Sequence, residues 1–271
     1  MAITTIDGLV AGFQPGRFFY KAATPTLVAG RPVSLWALNG IPGAGAYDTT
    51  LNGVTLSSAS TPVNGQLPFP NPGGANSCYL ARFTGAATIQ GKLMLVDRLW
   101  HNGGYTITST GAQSITSPTW PARDINGSTN GDGVLLGVEV ASTTGAATPN
   151  VTISYTNSAG TSGRSANNII TTGSSSPNGH FYPIALQTGD TGVRSVQSLT
   201  LSNSWVSGSI ALVAYRIIAS IDLAVAFTPG VIDPITGGLP VCYAGTVPSL
   251  IFQPITTTAS NINGMVTFAH G

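Results

Sequence analysis

Residues 209 to 227 read Ser-Ile-Ala-Leu-Val-Ala-Tyr-Arg-Ile-Ile-Ala-Ser-Ile-Asp-Leu-Ala-Val-Ala-Phe and form the longest run of the chain without Gly or Pro. From Ala211 to Phe227 every odd position is apolar, whereas the charged residues of the run fall on even positions. This period of two predicts a β-strand with one buried face. We expect Val213, Tyr215 and Ile217 to be buried together on that face.

A helix is the alternative for this stretch, because Ser209, Arg216 and Ser220 would share a helical face. Asp222 would then lie on the apolar side, and the β-branched content is high for a helix. A membrane span is disfavoured because Arg216 and Asp222 would be costly in lipid. At about 3.3 Å per residue the stretch exceeds the usual length of one strand. We therefore predict a core strand that continues into a second strand leaving the domain.

Other short segments alternate in the same way and are bounded by Gly, Asn, Ser or Pro. Regularly spaced strands with such boundaries are typical of antiparallel sandwiches and barrels. The sequence therefore predicts an all-β fold, an antiparallel β-sandwich of jelly-roll-like type. The further predicted strands are residues 93–100, 105–110, 134–140, 151–156 and 193–201.

The two ends of the chain differ from this core, which we place at residues 33–226. Residues 1–32 combine aromatic residues with turns and are interpreted as an N-terminal arm, with a first irregular strand as the alternative. Residues 227–271 carry five prolines and are interpreted as an extended segment laid over a surface, with edge strands as the alternative. The predicted interface residues in these segments are Phe13, Phe18, Phe19, Tyr20, Tyr243, Leu250, Phe252 and Phe268.

The chain is poor in charge, since 7% of its residues are charged against a usual ~25%. With a net charge of +1, its Ser-, Thr- and Asn-rich surface repels other copies only weakly, so we expect it to be covered by partners, including copies of itself. The near-zero net charge also argues against nucleic acid as a partner. The first residues lack the pattern of a signal peptide. Cys78 and Cys242 are expected to be buried thiols, with a disulfide as the alternative.

Candidate catalytic residues are few, because the chain has nine acidic residues and three histidines. Asp97 and His101 stand four apart, but in a strand they would share a face only across a bend, so His101 is interpreted as a loop residue. His180 and His270 have no acid or base nearby in sequence. No nucleotide-binding or nucleophile motif is present. We expect no catalytic site and no cofactor.

One loop has the alternating oxygen ligands that calcium prefers: Asp124, Asn126, Ser128, Asn130 and Asp132. It departs from the EF-hand pattern, because Thr129 stands where Gly is required and Leu135 where Glu is required. The alternative is a loop whose polar side chains cap its own backbone.

Several short segments of the sequence, taken together, resemble virion proteins of tailed bacteriophages of the head decoration or cement type. The likeness covers most of residues 8 to 220 and is weakest after Phe227. It rests on Val96–Asn102, Pro121–Gly133, Ser154–Arg164 and Gly189–Ser198, with Ser34–Trp36 and Gly43–Gly45.

This resemblance implies a β-sandwich without catalytic residues that binds the outside of a capsid. The expected partners are the major capsid protein and copies of itself, with no membrane, and the expected location is the virion, assembled in the host cytoplasm. A tail, neck or receptor-contacting virion component is one alternative. A carbohydrate-binding β-sandwich module or glycosidase is another, although no convincing carboxylate pair stands out.

Overall fold

The computed structural model describes residues 3–58, 64–74 and 77–271. The predicted all-β class is confirmed: 41% of the described residues are strand and 4% are helix, in antiparallel curled sheets that form a β-sandwich-like fold. In chain order the elements are α1 (Ile6–Gly12), β1 (Arg17–Lys21), β2 (Val33–Ser34), β3 (Gly40–Ile41), β4 (Val54–Thr55), β5 (Cys78–Ala87), β6 (Gly91–His101), β7 (Gln113–Ser114), β8 (Leu135–Ser142), β9 (Val151–Asn157), β10 (Arg164–Asn168), β11 (Phe181–Ala185), β12 (Val193–Leu201), β13 (Ser209–Leu223), β14 (Gly230–Ile232), α2 (Pro234–Gly237), β15 (Val241–Cys242), β16 (Pro248–Pro254) and β17 (Ile262–His270).

The chain divides into two compact units. Unit 1 comprises Met1–Gly45, Ser57–Asp97 and Ile217–Gly271, and unit 2 comprises Ala46–Leu56 and Arg98–Arg216. This differs from the predicted arm, single core and extended tail. The reason is that strands from both ends of the chain pair with each other, which a reading along the sequence does not reveal.

In unit 1, one sheet has the order β14–β5–β17–β1–β3, and β15 also pairs with β5. β17 lies between β5 and β1, so that Val266 is opposite Phe83 on one side and Arg17 on the other. A second group of strands in this unit has the order β2–β16–β6. Their apolar side chains form one core, which includes Phe19, Leu80, Phe83, Leu93, Leu95, Leu250, Phe252, Val266 and Phe268.

The predicted extended segment 227–271 therefore consists largely of paired strands. β16 runs from Pro248 to Pro254 and pairs with β6, so these two prolines bound a strand. This placement is physically reasonable, because proline lacks a backbone N–H and is tolerated where the ladder of hydrogen bonds ends. The prolines mark strand boundaries, but β16 and β17 each pair on both sides and are not the edge strands of the alternative interpretation.

In unit 2, the strands follow the order β13–β8–β11–β10–β9–β12–β7, with antiparallel pairing between neighbours. The predicted strands at 134–140, 151–156 and 193–201 correspond to β8, β9 and β12. The buried apolar side chains of unit 2 form a second core, which includes Trp100, Trp120, Leu136, Val138, Val140, Ile153, Tyr155, Leu199, Trp205 and Leu212.

Residues 209–223 of the stretch 209–227 form β13, a single strand of 15 residues that supplies residues to both units. In unit 2 both of its faces are buried: Ile210, Leu212 and Ala214 join the apolar core, and Val213 and Tyr215 lie on the other face. The predicted inward position of Ile217 is wrong, because this side chain is 42% exposed. The alternation shifts there, since the neighbouring Ile218 and Ala219 are both buried.

The predicted strand at 105–110 is also wrong, because these residues form a turn. The Gln113 side chain hydrogen-bonds the backbone N–H and C=O of Thr106, and the N–H of Ser109 donates to the Thr106 carbonyl. These bonds replace the hydrogen bonds of a ladder. The alternation correctly predicted burial, since Tyr105 and Ile107 are buried, but not the strand.

Candidate functional site

Unit 2 contains a buried cluster of four ionisable side chains. Arg98 Nη1 donates to Glu139 Oε2 at 2.7 Å, and the Tyr47 hydroxyl donates to Glu139 Oε1 at 2.9 Å. The Arg98 guanidinium also lies 3.1 Å from His101 Nδ1 and stacks 5.7 Å from the centre of the Tyr47 ring. Arg98 and His101 are contributed by β6 and Glu139 by β8.

The ion pair of this cluster consists of Arg98 and Glu139. Burial and the Arg98 charge lower the pKa of His101 to about 2, so the imidazole is neutral at physiological pH. Guanidinium nitrogens only donate hydrogen bonds, so Nδ1 of His101 accepts and the ring proton lies on Nε2. Burial and the Glu139 carboxylate raise the pKa of Tyr47 well above its usual range.

The chemistry open to this cluster is limited by its burial. Arg98, His101 and Glu139 are almost fully covered. A general acid or base must reach the proton that it transfers. The arrangement is that of a buried ion pair with its remaining lone pairs satisfied, which fixes the geometry of a fold.

The predicted neighbours Asp97 and His101 have different partners in the structure. Asp97 accepts hydrogen bonds from the Val247 N–H at 2.9 Å and from the Thr246 hydroxyl at 3.4 Å, within unit 1. His101 is a strand residue of unit 2 in contact with Arg98, so its interpretation as a solvated loop histidine is wrong.

Of the other two histidines, His180 is buried. The ring Nε2 of His270 lies 2.7 Å from the Pro70 carbonyl oxygen, to which it donates.

A second buried cation lies in unit 1. Nζ of Lys21 donates to the carbonyl oxygens of Leu38 and Pro42, both at 2.8 Å. Burial lowers the pKa of Lys21 to about 8. The ammonium group therefore holds two loop segments of the backbone together, a contact that no pattern in the sequence indicates.

The predicted calcium loop is organised around the buried carboxylate of Asp124. This group accepts hydrogen bonds from the backbone N–H groups of Asn126, Ser128, Gly131 and Asp132 and from the Ser128 hydroxyl. Burial acts to raise the pKa of Asp124, but these hydrogen bonds lower it below its usual value.

The Asn126 amide donates to Asp132 at 3.1 Å, so a second predicted calcium ligand is also engaged within the loop. This is the alternative in which the loop caps its own backbone. No group of three or more His, Cys, Asp or Glu side chains suited to a metal ion occurs within residues 3–58, 64–74 and 77–271.

The predicted interface residues separate into two groups. Half are wrong, because they are buried in the core of unit 1: Phe19, Leu250, Phe252 and Phe268. In β1 the buried Phe19 lies between the exposed Phe18 and the half-buried Tyr20, as alternation requires. In β16 both faces are covered, so that Leu250, Ile251 and Phe252 are all buried. Phe13 and Phe18 are exposed, and Tyr20 and Tyr243 are half-buried.

Phe18 belongs to an apolar row that crosses four neighbouring strands of unit 1. Phe18 is directly opposite Met265, Met265 opposite Thr84, and Thr84 opposite Val231. Phe18, Met265 and Val231 are 53%, 41% and 45% exposed. We call these four residues the apolar row. Met265 and Val231 were not among the predicted interface residues, although the alternation around Met265 indicates an outward side chain.

Unit 2 has an open cleft of about 370 Å³ with a mainly polar lining. Arg194 lies at a register shift of β12, where its strand bulges against β9. Bulges re-aim side chains out of the ladder. The hydroxyl groups in the lining are those of Ser117, Thr119, Thr129, Thr156 and Ser195.

No helix within the described ranges is long and apolar enough to cross a membrane.

Comparison with known proteins gives weak structural likenesses. No protein-family model matches the chain, and no curated protein matches its sequence. Among solved structures, the infectious bursal disease virus Gt strain is similar with 10% identity and a TM-score of 0.22, over 95% of this chain and 81% of that chain. The VP2 subviral particle of infectious bursal disease virus is similar with 9% identity and a TM-score of 0.21, over 98% of this chain and 83% of that chain. Likeness at this level carries no argument about function.

Proposed function

We propose that this protein is a structural component of a virus particle, and more narrowly a decoration or cement protein on the outside of a tailed-bacteriophage capsid. Three features support the proposal. The loop segments of the sequence resemble those of such proteins, and the fold is an antiparallel β-sandwich. The surface also carries few charges that would oppose close association with another protein.

The observation that carries the proposal is the apolar row. Phe18 and Met265 lie opposite each other on paired strands about 4.8 Å apart, and Val231 lies two strands from Met265, with the half-buried Thr84 between them. Contiguous exposed apolar surface on a rigid element is characteristic of protein interaction sites. In α1, Ile6 and Val10 add an exposed apolar stripe at helical spacing.

The proposed partner of the apolar row is the major capsid protein. Each apolar side chain that is fully buried on docking contributes about 1.5–3 kcal/mol before the costs of association. Bound where capsid subunits meet, the protein would hold neighbouring subunits together against the pressure of the packaged DNA. We further propose that it has no catalytic activity, because Arg98, His101 and Glu139, the cluster described above, are buried.

The first experiment locates the protein. Purified virions of the parent phage would be imaged by cryo-electron microscopy, and density at the outer capsid surface is the expected result. Density confined to the tail or neck would contradict the decoration role but would keep the virion assignment. Absence of the protein from purified virions would contradict both.

The second experiment tests the apolar row. Capsids purified without this protein would be mixed with wild-type protein, Phe18→Asp or Val231→Asp, and bound protein would be measured after sedimentation. We expect each substitution to weaken binding at least about tenfold, because a charge replaces buried apolar area. The matched control is Ile169→Asp, since Ile169 is an apolar residue of unit 2 that is 63% exposed and lies outside the apolar row. Equal binding by all four proteins would contradict the role of the apolar row.

The cleft beside Arg194 favours a second candidate, a receptor-contacting virion component that binds an acidic saccharide. A guanidinium pairs with carboxylate, and the lining hydroxyl groups suit sugar hydroxyls. Stacking on tryptophan is not open to such a ligand, because all four Trp side chains are fully buried. Titration with a glucuronic-acid oligosaccharide, followed by NMR, tests this candidate. Binding that Arg194→Ala abolishes would support it, and unchanged spectra would exclude this ligand class.

A further inference from the structure

The two cysteines of the chain are direct neighbours across a pair of strands. Cys78 begins β5, Cys242 ends β15, and the antiparallel register places them opposite each other. Both are fully buried, and neither is in a disulfide. Directly opposite residues of an antiparallel pair project to the same face of the sheet.

The hydrogen bonds of this pair of strands define the distance between the two residues. The Leu80 N–H donates to the Pro240 carbonyl oxygen at 2.9 Å, two residues along each strand from the cysteines. Positions two residues apart in an antiparallel ladder are of the same type, so Cys78 and Cys242 occupy a hydrogen-bonded pair. The Cα atoms of such pairs lie about 5.5 Å apart. Disulfides join Cα atoms about 4.4–6.8 Å apart, most often near this distance. They also need Cβ atoms about 3.5–4.5 Å apart, closer than the roughly 5.5 Å of a hydrogen-bonded pair, so closure requires a small shift of the two-residue strand β15.

Both thiols are fully buried, so a reagent reaches them through local opening beside the cavity that they line. A cavity of about 130 Å³ is lined by both cysteines together with Ser77, Tyr243 and Ala244. Burial raises the pKa of the Cys78 thiol to about 12, so little thiolate is present at neutral pH. The pair should consequently react slowly rather than be inert.

We propose that Cys78 and Cys242 form a modification site in which oxidation closes an intrachain disulfide within the native fold. Two S–H bonds are broken and one S–S bond is formed. The two electrons and two protons pass to an oxidant, which is a diazene such as diamide in the test below and is reduced to the hydrazine. The proposal does not depend on the virion function.

The disulfide would fasten a strand of only two residues, β15, to the ten-residue β5. It would also close a long loop and restrict the unfolded chain, which stabilises a fold. We expect the apparent Tm to rise by roughly 5–10 °C.

The test begins with reduced, folded protein incubated overnight with excess diamide. The protein is then unfolded in N-ethylmaleimide and analysed by intact mass spectrometry. The expected result is a monomer that has lost two hydrogen atoms and takes up no maleimide, with a cross-linked peptide that contains Cys78 and Cys242. Dithiothreitol should reverse both this mass change and the rise in Tm.

The controls are Cys78→Ala and Cys242→Ala, each of which should take up one maleimide and show no rise in Tm. Two maleimides on wild-type protein with an unchanged circular dichroism spectrum would overturn the proposal, as would disulfide-linked dimers. If either variant fails to fold, the wild-type mass and the reversible change in Tm still decide the question.

Discussion

Arg98 Nη1 lies 2.7 Å from Glu139 Oε2, and both side chains are almost completely buried in unit 2. Removing one partner of such a pair leaves the other charge without compensation in a medium of low dielectric constant. We therefore expect Glu139→Leu to lower the free energy of unfolding by about 3–5 kcal/mol. Urea denaturation followed by circular dichroism measures this loss.

Two comparisons make this prediction specific. The double variant Arg98→Met/Glu139→Leu should recover part of the loss, because no buried charge remains. The exposed pair Lys92–Asp222, at 2.9 Å, is the matched control, and Asp222→Ala should cost less than about 1 kcal/mol. A loss of the same size in Asp222→Ala and Glu139→Leu would argue against the importance of burial.

His101 should make stability depend on pH. Its pKa is about 2 in the folded protein and about 6.5 in an unfolded chain, so between these values only the unfolded state binds the proton. Stability is therefore complete above about pH 6.5 and is lost as the pH falls, by up to about 1.4 kcal/mol per pH unit. His101→Gln, which keeps an acceptor for Arg98 but does not titrate, should abolish this slope.

The measurement is urea denaturation between about pH 4.5 and 6.5. Below this range Asp190 also contributes, because its hydrogen bonds with Arg164 lower its pKa to about 2. His270→Gln is the control and should retain the slope. An identical slope in wild-type protein and His101→Gln would mean that another group is responsible.

Asp124 should stabilise its loop without calcium. Asp124→Ala would leave four backbone N–H groups without their acceptor, and we expect it to cost at least about 2 kcal/mol. Asn130→Ala, an exposed change in the same loop, should cost less than about 0.5 kcal/mol. Thermal unfolding with calcium or with a chelator should give the same Tm. A rise in Tm with calcium that Asp124→Ala removes would restore the metal interpretation.

The sequence predicted the fold class and most strands of unit 2, because local alternation and turn residues determine both. It could not predict that β17 inserts between β1 and β5, since pairing of the two chain ends is a long-range property. For the same reason, Phe268 and Phe252 were interpreted as interface residues. The Arg98–Glu139 pair could not be predicted, because the two residues lie on separate strands. Nothing in the sequence around either residue indicates that its side chain is buried.

Two adjacent residues of β17 allow the contribution of this strand to the fold to be tested separately from its proposed role in capsid binding. Val266 is fully buried in the core of unit 1, whereas Met265 lies in the exposed apolar row. Val266→Asp should give insoluble protein or a loss of several kcal/mol, because a charge would enter the core. Met265→Asp should change the free energy of unfolding by less than about 1 kcal/mol and still weaken capsid binding. Solubility, urea denaturation and capsid sedimentation of the two variants give the comparison. If Val266→Asp folds and Met265→Asp does not, the two faces of β17 are assigned the wrong way round. If both fold and both bind capsids normally, the apolar row is not the docking surface.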